Sequence, residues 1–67
     1  MMIKFVDICW AHESLIRQQP LFTDYQMMPG DYCLVIDESD TFVHFLSGDK
    51  VLCLSKADHG EKYEYIS

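Results

Sequence analysis

The sequence predicts a mainly β fold: a small five-stranded antiparallel barrel with a long first connection. Three observations carry that expectation. The stretch MMPGDYCLVIDESDTFVHFLSGDKVLCLS (27–55) holds apolar runs of strand length separated by polar breaks. Pro29-Gly30 and Gly48-Asp49 place turn signals between them. Residues 41–47 alternate with a period of two, putting Val43 and Phe45 on one side and Phe42, His44 and Leu46 on the other.

The elements follow in order. MIKFVDIC (2–9) reads as the first strand. WAHESLIRQQ (10–19) breaks the period and reads either as a short helix ending before Pro20 or as an excursion between strands. DYCLVID (31–37), TFVHFLS (41–47) and KVLCLS (50–55) form a three-stranded meander joined by short hairpins. KADHG (56–60) suits a single helical turn, and KYEYIS (62–67) a closing strand. In 50–55, Leu52 and Leu54 oppose Val51 and Cys53, so both faces carry apolar groups. A sheet curled on itself or packed on both sides produces that pattern.

This order resembles the SH3-like small barrel: PGDYCLVI follows the long connection, SGDKV makes the tight hairpin, and ADHGEKYEYI supplies the turn and closing strand. The resemblance is one of architecture and implies a compact barrel. The first strand, FVDI, differs from the aromatic-rich ALYDY type of signalling SH3 domains, and no tryptophan follows DESD. The proline-rich ligand of that family is therefore not carried over.

A chain of 67 residues makes one domain, 1–67, and 49% apolar residues suffice for a core. No apolar run reaches the length of a membrane helix, and the N-terminal MMIKFVDICWAHE is interrupted by Asp7 and His12, unlike a secretory signal. A cytoplasmic location is expected. Cys9, Cys33 and Cys53 are odd in number and lie within apolar runs, as free buried thiols do.

Eleven acidic residues against 5 basic give a formal net charge of −6. Phosphate recognition needs the opposite sign, so direct nucleic-acid binding is disfavoured. A protein partner with a basic surface fits better.

Chemistry has weak support. No local pattern pairs a cysteine with His12, His44 or His59 as nucleophile and base, so no enzyme is expected. Cys9-Trp10-Ala11-His12 has the spacing of a chelating knuckle, which Cys33, Cys53, His44 or His59 could complete around zinc. Core packing explains those cysteines equally well. No cofactor is implied.

DESD (37–40) sets Asp37, Glu38 and Asp40 at a hairpin tip, where they solvate the turn or meet basic groups of a partner. Trp10, Tyr25 and Tyr63 lie amid polar neighbours and are candidate contacts, since Trp and Tyr dominate binding hot spots. Phe22 and Tyr32 read as core. The expected function is that of a non-enzymatic acidic interaction module. It would act as a small inhibitor or regulator, of the kind bacteriophages direct at host enzymes, docking on a basic surface. The alternatives are a zinc-stabilised binding domain using Cys9 and His12, and a self-associating module forming a homodimer through an edge strand.

Overall fold

The computed structural model describes residues 1–13 and 24–66. They form a single curled antiparallel sheet, a half-barrel. Its strands are β1 (Met2–Phe5), β2 (Cys9–Glu13), β3 (Asp24–Met27), β4 (Tyr32–Glu38), β5 (Phe42–Ser47), β6 (Lys50–Ser55) and β7 (Tyr63–Ile66). The order across the sheet is β3-β2-β6-β5-β4-β1-β7.

The expected meander is present as β4, β5 and β6, paired in sequence. Gly48 and Asp49 join β5 to β6 in a two-residue turn. Gly48 has φ +63° while Asp49 stays at negative φ, which fits a type II′ turn, with Gly first. Met28 to Asp31 form another turn, with Pro29 and then Gly30 at φ +94° in its centre, the residues a type II turn takes. The Gly30 N–H donates to the Phe5 carbonyl, and the Phe5 N–H to that of Asp31, which clamps this turn onto β1. Residues 56–60 contain the expected turn as one 3₁₀ segment, Lys56–Asp58, capped by the Ser55 hydroxyl accepting from the Ala57 N–H.

Three expectations need correction. The described residues form seven strands rather than five. The first run is two strands, because the chain bends at Val6 to Ile8: the Val6 N–H donates to the Lys62 carbonyl and the Asp7 carboxylate accepts from the Ile8 N–H. Beyond the bend, Trp10 to Glu13 are strand rather than helix, held between β3 and β6. The rest of the expected helix, 14–19, and Phe22 lie outside the described residues. Strand β3 was not expected at all.

The core lies on the concave face. Ile3, Phe5, Cys9, Ala11, Met27, Cys33, Val43, Phe45, Leu52, Leu54 and Tyr63 are buried there. Phe5 meets Phe45 edge-on, ring centroids 5.6 Å apart. The alternation read in 41–47 holds, with Val43 and Phe45 inward and Phe42 and Leu46 exposed. No helix among the described residues is long and apolar enough to cross a membrane.

Candidate interaction surface

The convex face departs from an ordinary solvated sheet. Pairing registers set Met2 opposite both Ile66 and Leu34, Leu34 opposite Leu46, and Leu46 opposite Val51. Five apolar side chains from five neighbouring strands thus form one continuous row, Ile66-Met2-Leu34-Leu46-Val51. Leu34 is 46% exposed and Leu46 38%. Ile36, the extra residue of a bulge between Val35 and Asp37, adds to the exposed apolar surface.

Beside this row runs a second, made of Asp37, His44, Cys53 and His12 from β4, β5, β6 and β2. Cys53 is buried between the two imidazole-bearing positions, and burial pushes its thiol pKa up. Beyond it, Phe42 and Trp10 are exposed, Trp10 at 56%. Trp10 therefore lies where an interface contact can use it.

The acidic tip sits at the end of the β4–β5 hairpin. Asp37, Glu38 and Asp40 are all exposed. The Asp37 carboxylate accepts from the Glu38 N–H at 2.8 Å, and the Ser39 hydroxyl from the Phe42 N–H at 3.0 Å, so the turn is shaped by its own side chains.

The other expected contacts fall differently. Tyr25 is half-buried against the core, and its hydroxyl donates to Glu13 at 3.3 Å. Lys50 lies 5.6 Å from its ring centroid, and a hydrogen bond with the Tyr25 side chain raises the Lys50 pKa. Tyr63, expected at the surface, is fully buried and unavailable to a partner. It sits in an aromatic cluster with Phe5, His59 and Tyr65. Among the described residues its hydroxyl makes no hydrogen bond of acceptable geometry, although the Tyr65 hydroxyl is a neighbour. Burial, then a hydrogen bond with Glu38, raises the Tyr65 pKa.

Cys9 and His12 do not form a knuckle. A spacing of three on a strand sends them to opposite faces, Cys9 into the core and His12 outward. Among the described residues no three His, Cys, Asp or Glu side chains gather as a metal-holding group. All three thiols are buried, and burial raises each pKa. A reactive cysteine needs the reverse.

The sequence reading missed Met2, Leu34, Leu46, Val51 and Ile66 as a surface. The apolar groups on both strand faces are the signal, which curling or double packing accounts for equally well. Comparison with protein-family models, with curated proteins and with solved structures finds no match.

Proposed function

We propose that this chain is a non-catalytic protein-binding module that docks through its convex face on a protein whose apolar surface is ringed by basic side chains. The cross-strand row Ile66-Met2-Leu34-Leu46-Val51, exposed at Met2, Leu34 and Leu46 and half-buried at its two ends, carries the reading. Contiguous apolar surface of this kind is costly to leave in water and marks interaction sites on small soluble domains. The acidic tip and the net charge of −6 supply the electrostatic half, steering a basic partner and fixing its register. Thiols held neutral by burial support a non-catalytic role. A module of this size acts by covering what it binds, so an enzyme partner would be inhibited or regulated, and a cytoplasmic setting suits its free thiols.

The test is affinity capture from the native host with the wild-type chain and with the double variant Leu34→Lys, Leu46→Glu. These two residues are direct cross-strand partners, so the variant replaces an apolar pair by an opposite-charge pair and leaves the net charge unchanged. One protein retained stoichiometrically by the wild type, lost with the variant and released by salt, is the expected result. Equal retention by both chains would remove the convex face from the mechanism.

A further inference from the structure

Among the described residues the sheet is open, and β7 is one of its two edges. The hydrogen-bonding alternation of an antiparallel pair decides which backbone groups that edge offers. The Val6 N–H donates to the Lys62 carbonyl, so Lys62, Glu64 and Ile66 turn their backbone groups toward β1. Tyr63 and Tyr65 turn theirs away. The Tyr63 carbonyl is already taken, accepting from the Gly60 N–H at 2.8 Å, and a bridge to His59 covers that end. The N–H and carbonyl of Tyr65 have no backbone partner among the described residues.

The side chains flanking Tyr65 are equally specific. Glu64 and Ile66 stand on the convex face, two positions apart. Glu64 is paired in register with Lys4, but the Lys4 ammonium lies over the Tyr32 ring at 5.9 Å, on the side away from β7. Among the described residues no ion pair takes the Glu64 carboxylate, which is left to the edge. Ile66 is the outermost member of the apolar row. An additional strand would therefore meet an apolar position, a backbone pair and a carboxylate in succession.

We propose that the β7 edge accepts an extended segment of a partner protein as an antiparallel eighth strand. That segment places an apolar residue opposite Ile66 and a Lys or Arg opposite Glu64, with the residue between them exchanging both backbone hydrogen bonds with Tyr65. Read along the partner, this is an apolar residue followed two positions later by a basic one. The apolar residue lengthens the convex row by one strand, and the basic residue matches the acidic charge of the chain. Strand addition of this type takes affinity from the main chain and specificity from alternate side chains. The proposal rests on the interaction-module reading and specifies the form of the partner.

The test titrates the full chain with a capped synthetic peptide of about six residues carrying Val-Thr-Lys at its centre. Amide shifts and hydrogen exchange are followed by NMR. Saturable shifts centred on Glu64 to Ile66, with slowed exchange of the Tyr65 amide, are expected. Methylating the backbone nitrogen of the central Thr, or replacing the peptide Lys by Glu, should weaken binding roughly tenfold. No shift at Tyr65 with about millimolar peptide, or equal binding by the methylated peptide, overturns the proposal. So does slowed Tyr65 exchange that follows the protein's own concentration without peptide, which would make the occupant a second copy. The variant Leu34→Lys, Leu46→Glu should still bind the peptide. Loss of peptide binding at Tyr65 alongside intact capture through the convex face would sink the strand addition and leave the docking face standing.

Discussion

Tyr63 shows how a residue chosen for function can turn out to serve the core. Its ring fills the centre of the aromatic cluster, yet among the described residues its buried hydroxyl has no hydrogen bond of acceptable geometry. A buried polar group without a partner costs about 1–3 kcal/mol. Tyr63→Phe keeps the ring and removes that cost, so urea denaturation should show the variant about 1 kcal/mol more stable, with the slope unchanged. A loss of stability would mean that the hydroxyl is satisfied in solution. The buried thiols and phenols also set the alkaline limit. Burial raises the pKa of Cys9, Cys33 and Cys53 above 9.0, and of Tyr63 and Tyr65 above 10.0. The unfolded chain then gives up these protons first as pH rises, so their contribution is complete below about pH 9 and is lost above it. Denaturation midpoints measured at pH 7, 9 and 10.5 should fall over the last interval. At the acid end, the Ile8 N–H and then the Lys62 ammonium hold the Asp7 pKa down, and that contribution disappears as pH drops below its ordinary 3.8.

At the scale of elements, legibility followed local signals. The strands β4 to β7 and the 3₁₀ turn could be read because period-two alternation and Gly or Pro punctuation lie within each segment. The bend at Val6 to Ile8 could not, since apolar residues continue through it and the bonds that make it come from Lys62 and from Asp7 itself. Nothing in Asp-Tyr-Gln-Met announces β3, which owes its conformation to pairing with β2. The convex row was hidden for the same reason: its members lie at positions 2, 34, 46, 51 and 66, and only the register joins them. One element can be tested by its turn. Gly48 sits at φ +63°, where a Cβ meets open space but the backbone strains any L side chain. Gly48→Val should therefore cost more than about 1 kcal/mol through the backbone alone, as thermal unfolding would show. The like change at exposed Asp49, Asp49→Val, keeps the negative φ and should cost less.

At the scale of the whole molecule, the two faces of one curled sheet divide the work, and that division can be measured. Phe45 points inward from β5, and its neighbour Leu46 points outward. Removing most of a buried Phe costs about 3–5 kcal/mol, and a chain of this size has of order 3–10 kcal/mol in total. Phe45→Ala should accordingly unfold the domain or leave it barely folded, with partner capture lost as a consequence. Leu34 and Leu46 are 46% and 38% exposed, so Leu34→Lys, Leu46→Glu gives up far less burial than the loss of Phe45 and gains a cross-strand charge pair of about 0.2–1 kcal/mol. Its melting temperature should stay within a few degrees of wild type while capture disappears. The reading requires this opposition: stability lost with the concave residue, binding lost with the convex pair. A convex variant that melts as early as the concave one would show that the row is buried in solution, by a second copy or by another part of the chain. The surface proposed for a partner would then already be occupied.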